Sequence, residues 1–328
     1  LGLDLGLWKD RFSLQMDFFY EKRKGILMQR QSVPTGAGFL AASVLWGNLG
    51  KAENKGFDAL LEFKDRTSSG LFYSLRGNVT FARSKVLEND KADPLYSNLS
   101  EIGHPIGQPF GLVAAGFFES EEDIDNWYDQ SLLGGRPIPG DVKYKDISGP
   151  DGVPDGVIDD YDKTNIGSPM PKFTFGWTNT FRYKNFDLSV FINGSYGNKV
   201  YNYLSMKLTH MNSPWTNQLN AVNGRAQLVP INPNKVYEDG TMWYNDVSNV
   251  MVANPGASIP RATINDPNDN DRISDRYIED GSYIRLKNIS LGYTFPKKTI
   301  DKLGLSNLRI YANIQNLLTI TGYDGYDP

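Results

Sequence analysis

The densest run of chemically capable side chains is Asp146 to Asp162, which reads Asp-Ile-Ser-Gly-Pro-Asp-Gly-Val-Pro-Asp-Gly-Val-Ile-Asp-Asp-Tyr-Asp. A calcium loop needs oxygen ligands at alternate positions, a glycine at the sharp turn and an apolar residue just beyond it. Counting from Asp151 puts Asp155 fifth, Gly156 sixth, the Val157 carbonyl seventh, Ile158 eighth, Asp159 ninth and Asp162 twelfth. Val153 then falls third and cannot ligate through its side chain, and the twelfth residue is the shorter Asp rather than Glu. A second register starts from Asp146 or Ser148, with an insertion around Gly149-Pro150. Asp146, Asp151, Asp155, Val157, Asp159 and Asp162 are therefore the candidate ligands of Ca2+ or another hard cation. Its work would be to order a loop, not to do chemistry. The plain alternative is a surface loop held by Asp-Gly turns.

A second set of candidates is aromatic. Trp127, Tyr128, Trp215, Trp243 and Tyr244 lie in long irregular stretches, where they can stack on a sugar ring, contact a partner or anchor the loop itself. Ser120 followed by Asp123 reads as a helix start, with Trp127 on that short helix. Carboxylates also occur together, as in Glu121-Glu122-Asp123 and Asp159-Asp160. Nothing marks any such pair as the two carboxyls of a glycosidase. The chain has no Cys, which excludes disulfides, thiolate metal sites and Cys nucleophiles. His104 and His210 have no motif around them, so a hydrolytic triad or a His zinc site has little to build on. A formal net charge of −4 argues against a nucleic-acid partner. The reading is a non-enzyme.

The elements that must carry these loops are strands. Period-two alternation of apolar and polar residues appears in eight segments: 1–7, 12–21, 57–64, 71–81, 173–183, 186–193, 288–295 and 308–315. A soluble sandwich also alternates, with its apolar side turned to a core. The connections separate the two cases. Lys9 to Arg11, Asp65 to Gly70, Lys184-Asn185 and Lys297 to Ser306 are short, the last a capped element with Gly304 at a helix C′ position. Between the hairpins run long stretches at roughly 27–55, 88–171 and 199–280. Short turns at one end and long loops at the other is the asymmetry of outer-membrane barrels. Trp8, Phe12, Phe63, Phe181, Tyr183, Phe186, Tyr293 and Phe295 gather near the short turns as an interfacial girdle, with Phe18 and Tyr20 as exceptions. The opposite faces carry Asp, Asn, Gln, Thr, Ser and Arg, as a wet or plugged lumen requires. No stretch approaches the ~20 apolar residues of a membrane helix, and no signal peptide is visible.

The wording of several segments resembles the SusC/RagA family of TonB-linked outer-membrane proteins of Bacteroidetes. The residues are 139–146, 155–159, 166–173, 184–189 and 194–197, then Ser274 to Asn288, which is the most specific, followed by 305–311, 315–317 and the earlier Asn54 to Phe57. The resemblance implies an all-β, antiparallel transmembrane barrel of about 22 strands around a plug. These eight strands would be the fourteenth to the twenty-first. Residues 1–328 are then expected to be the C-terminal part of such a barrel, with the plug, TonB box and last strand lying outside the sequence. The implied activity is import of a large nutrient, a glycan oligosaccharide or an oligopeptide. The implied partners are a SusD-like surface lipoprotein, the TonB-ExbB-ExbD complex acting through the plug, and outer-membrane lipid. The other reading is a surface glycan-binding or adhesive barrel without active transport.

Overall fold

The protein is described here by a computed structural model covering residues 1–30, 45–90, 96–213, 215–264 and 266–327. Eight long strands form one antiparallel sheet whose spatial order is its chain order. They are β1 (Gly2–Leu7), β2 (Phe12–Gln29), β3 (Trp46–Arg66), β4 (Phe72–Glu88), β5 (Phe173–Tyr183), β6 (Phe186–Tyr196), β7 (Tyr283–Thr294) and β8 (Arg309–Thr321). All eight expected segments are present. Most run further than their alternation does, above all β2 and β3, whose pairing continues to Gln29↔Trp46. The expected long loop at 27–55 is correspondingly shorter, and its residues 31–44 lie outside those described, as does Pro328. The reason is physical. Alternation is enforced where one face meets lipid and the other water, and it lapses where both faces are wet.

Register aligns the apolar residues into continuous rows across the sheet. One row runs Leu5↔Leu14↔Leu61↔Gly77↔Trp177↔Ile192, and another joins Phe181↔Leu188↔Leu291↔Ala312. Asn179 falls in the apolar set, where its Oδ1 accepts the Trp177 indole N–H at 3.0 Å. On the other face Ser74, Thr180, Ser189, Ser290 and Asn313 follow one another strand by strand. Gly77 is required by its neighbour: a Cβ there would lie 2.6 Å from the Trp177 ring, so the indole occupies the space that a side chain would take.

Among the described residues nothing covers the apolar face. Leu291 is 50% exposed, Ile310 60% and Ile320 63%. A soluble sandwich would bury these against a second sheet. Here the fully buried cluster, Leu112, Val142, Tyr144 and Ile158, belongs to the loops. Aromatic rings border the band at both ends. Near the short turns, Phe186 meets Tyr293 at 4.7 Å, Phe63 meets Tyr73 at 5.8 Å and Trp8 meets Phe12 at 6.1 Å. Phe18, one of the two exceptions, belongs to the opposite border, where Phe57 lies 6.1 Å from Phe18 and 5.6 Å from Phe81. Two girdles one band apart are the signature of a lipid-facing barrel wall.

The turns explain the tightness of one end. Trp8, Lys9 and Asp10 all take positive φ, as does Lys184 in the two-residue turn between β5 and β6. Between β7 and β8, a short helix (Lys297–Ile300) runs into one 3-10 turn closed by Gly304 at φ 68°. The sheet remains open, because β1 and β8 do not pair with each other.

The band has a direct test. Val190, paired with Ile289 and Asn179 near mid-band, faces lipid, whereas Ser189 faces the lumen. Val190→Arg is expected to destabilise the folded protein by about 2–4 kcal/mol, and Ser189→Arg by far less. Denaturant unfolding of the full-length protein in detergent, read by heat-modifiable gel mobility, separates them. Equal losses would rule out this orientation.

Candidate functional site in the outer loops

The two longest loops, 89–172 and 197–282, fold onto each other into an ordered cap. Short strand pairs brace it: Ala114–Phe117 with Val142–Tyr144, Lys199–Tyr201 with Ile278–Asp280, and Leu228–Pro230 with Val250–Val252. A buried polar network joins the loops. The Arg261 guanidinium donates to Asp141 Oδ1 at 2.6 Å, and Asn270 Nδ2 donates to the same oxygen at 3.1 Å. Asn270 Oδ1 accepts the Val142 N–H at 2.8 Å, while Gln130 and Asn268 both donate to the Val142 carbonyl. Burial pushes the Asp141 carboxyl up, and Arg261 and the Ile138 N–H pull it back. Nearly every polar atom here has a partner, which is what lets such a network sit in a dry core.

The acidic loop packs against this core. Ile158 is fully buried in the apolar cluster, so the residue after the turn does anchor the loop. Asp151 lies at an exposed tip beside the turn at Gly152. Asp146 instead takes the place of the first carboxylate: its Oδ2 accepts the Gly156 N–H at 2.7 Å. Its Oδ1 is buried and has no hydrogen-bond partner. Asp155 Oδ1 accepts the Val157 N–H at 3.0 Å, and Asp159 Oδ1 accepts the Tyr161 N–H at 2.7 Å. Asp162 is fully buried and accepts the N–H groups of Ile147, Ser148 and Asp159. Burial pushes the pKa of its carboxyl up, those N–H groups oppose the shift, and Asp146 adds to it. Asp146, not Asp151, is therefore the carboxylate that holds the Gly156 turn.

The aromatic candidates separate into three places. Trp127 falls just past the helix α1 (Glu121–Asp125) rather than on it, because Asn126 ends the helix and bonds back to Glu122. The Ser120 cap itself is as expected, its oxygen accepting the Asp123 N–H. The Trp127 indole donates to the Tyr144 carbonyl at 2.8 Å and carries the Lys143 ammonium 4.7 Å above its ring. It is an anchor of the cap, with Tyr128 edge-on and 44% exposed beside it. Trp243 and Tyr244 form a second edge-on pair. Trp215 is 93% exposed. Among the described residues no ring contact joins these three places.

Near Trp243 lies a polar cleft of about 750 Å³. Its wall includes Arg136, Lys235, Glu238, Asp239 and Asp246. Lys235, Ser248 and Tyr237 all donate to Asp246 and hold its carboxyl well below the usual range. Sequence spacing gave His210 no partners. The fold brings it between Asp266 and Asp271, and the signal available was the Asp- and Asn-rich run 266–271.

The geometry defines a class: an outer-membrane β-barrel wall topped by large, internally packed loops. No family model matches the chain. Over its full length it is 29% identical to TonB-dependent receptor P3 of Formosa agariphila. It is 26% identical to TonB-dependent receptor SusC of Bacteroides thetaiotaomicron. The chain spans about 30% of the length of these relatives. A solved structure of the RagAB peptide transporter superimposes with a TM-score of 0.71 at 18% identity, covering 99% of this chain and 32% of that one. The chain is SusC/RagA-like and a bacterial outer-membrane protein, and its named relatives are receptors rather than enzymes.

The buried network should behave as a unit. Asp141→Asn leaves Arg261 buried with no counter-charge and is expected to cost about 3–5 kcal/mol of cap stability. Arg261→Met with Asp141→Asn should recover part of that loss. Hydrogen exchange of 138–145 and 259–272 in the full-length protein reads both. Unchanged protection in Asp141→Asn would contradict the assignment.

Proposed function

We propose that this chain supplies one wall and the outer loops of a TonB-dependent importer for a large polar nutrient, an oligosaccharide or an oligopeptide. The observation that carries the reading is the pairing of an open lipid-facing wall with loops that hold their own core. An open sheet edge has no hydrogen-bond partners in lipid, so this wall works only within a closed barrel. Loops that keep a fixed shape suit recognition of ligand or of a lid protein. The SusD-like lipoprotein would dock on the loops, and the TonB-ExbB-ExbD complex would act through a plug carried elsewhere in the intact protein. The polar cleft and the exposed rings of Trp215, Tyr244 and Tyr128 are the proposed ligand-contacting surface.

Deletion of the intact gene is expected to abolish growth on one polymeric nutrient, and the purified receptor should carry a surface lipoprotein with it. Trp215→Ala with Tyr244→Ala should weaken ligand binding about tenfold, roughly 1.4 kcal/mol, while leaving the fold intact. Normal growth of the deletion strain on all polymeric nutrients, with lost surface attachment, would favour the adhesive reading.

We also propose that Asp146, Ser148, Asp155, the Val157 carbonyl, Asp159 and Asp162 hold Ca2+. Supporting this is the Asp146 Oδ1 atom, buried without a partner beside a buried Asp162. Binding would turn Asp155 and Asp159 from backbone N–H groups toward the ion and relieve the repulsion between Asp146 and Asp162. Calorimetric titration of Ca2+ into the full-length receptor should show a site at millimolar concentration or tighter, lost in Asp146→Asn. No heat at millimolar Ca2+ would sink it.

A further inference from the structure

His210 ends helix α2 (Tyr203–Thr209), and its backbone N–H donates to the Met206 carbonyl at 3.1 Å, which fixes where the ring sits. The ring is 5% exposed. Each nitrogen faces a carboxylate of the 266–272 turn. Nε2 lies 2.7 Å from Asp266 Oδ2 in good hydrogen-bond geometry. Nδ1 lies 3.0 Å from Asp271 Oδ2, yet that oxygen sits off the N–H direction, so Nδ1 is buried with no hydrogen bond. A proton shared between the two would pull the oxygen onto the axis. Two ligands that both point at a third atom leave it off the axis. With ion–ligand distances of about 2.1 Å, adjacent ligands stand roughly 3.0–3.4 Å apart.

We infer that His210 and Asp271 form the core of a second, transition-metal site, with a divalent ion of the Zn2+ type bound to His210 Nδ1 and the Asp271 carboxylate. The ligand atoms of His210, Asp266 and Asp271 lie within 4.8 Å of one another. Asp266 takes the outer role. It accepts from Nε2 and is itself fixed by the Asn270 side chain and backbone N–H, which orients the ring and strengthens the opposite nitrogen as a ligand. Asp269, at φ 53°, holds a further carboxylate against Asp271. An imidazole nitrogen selects a first-row transition ion over Ca2+ or Mg2+, which take oxygen ligands. Two cations compete: Lys207 Nζ is 3.6 Å from Asp271 Oδ2, and Arg272 Nη2 is 3.6 Å from Asp269 Oδ2. The Lys207 side chain is 44% exposed and has room to withdraw into water. The ion would join α2 to a turn 56 residues later and lock the second loop beside the buried network of Asn268 and Asn270.

The test uses the full-length receptor, purified in detergent, freed of any affinity tag and stripped with chelator. Co2+ is added and its visible d–d absorption recorded, then displaced with Zn2+. Against the parent, His210→Gln should lose one equivalent of tightly held Co2+. Gln can still donate to Asp266, so this variant keeps the outer hydrogen bond. Asp271→Asn should weaken binding at least tenfold, and Asp266→Asn about 10–100-fold. His104→Gln and Asp146→Asn should leave the Co2+ signal unchanged, the second separating this site from the calcium loop. If the Co2+ bound by His210→Gln and Asp271→Asn equals that of the parent, or if the parent binds none, His210 is a buried ion-pair residue and the metal site is overturned.

Discussion

A backbone in hydrocarbon must satisfy every N–H and C=O from within the protein, and the rest of this chain follows from that demand. It dictates strands long enough to cross, each paired on both sides. Strands β5 and β6, with 11 residues each, meet the length for a tilted crossing. It also dictates that neighbours in the chain be neighbours in the sheet, because a short turn is the easiest way to pair the next strand in register. The eight-stranded meander is the outcome. Its edges remain as the two places where the demand is not yet met, and that is why the wall implies a larger ring.

The same constraint made the fold legible. In a bilayer each strand is amphipathic across its whole crossing, so period two persists through segments such as Phe173 to Tyr183 with little interruption. Legibility ended where the bilayer ended. Residues 22–29 and 46–56 are paired as firmly as the rest, yet Glu21, Lys22, Arg23 and Lys24 keep no alternation, because water lies on both sides. Phe18 looked misplaced for a related reason. A girdle is defined by its height on the strand, and the heights of Phe18, Phe57 and Phe81 match only after the registers are known.

The loops were legible only where a local rule governs them. The Ser120 cap and the Gly304 turn depend on residues a few positions apart, and both formed as read. The carboxylate that holds the turn of the acidic loop was not so determined. Asp146 and Asp151 stand at plausible spacings, and the choice fell to a long-range fact: Ile158 must enter the cluster with Leu112 and Tyr144, which turns Gly156 toward Asp146 and leaves Asp151 at the tip. His210 was invisible for the same reason. Its partners arrive from another part of the chain, and no spacing rule links residue 210 with residues 266 and 271.

These loop clusters share a physical logic. A loop outside the membrane has little apolar surface to bury, and conformational entropy opposes its order. This cap has one small apolar cluster, so polar groups carry much of its definition. The Asp141–Arg261 pair, the bonds of Asn268 and Asn270 to Val142 and the carboxylate of Asp162 each fix a distant segment through directional contacts. Such contacts add little net stability but discriminate strongly among conformations, since any alternative leaves a buried charge or N–H unpaired. A surface that must keep one shape gains more from that discrimination than from extra stability. Asp146 Oδ1 and His210 Nδ1 are two of the buried polar atoms in the cap that still lack a hydrogen-bond partner, and the proposed cations would complete them.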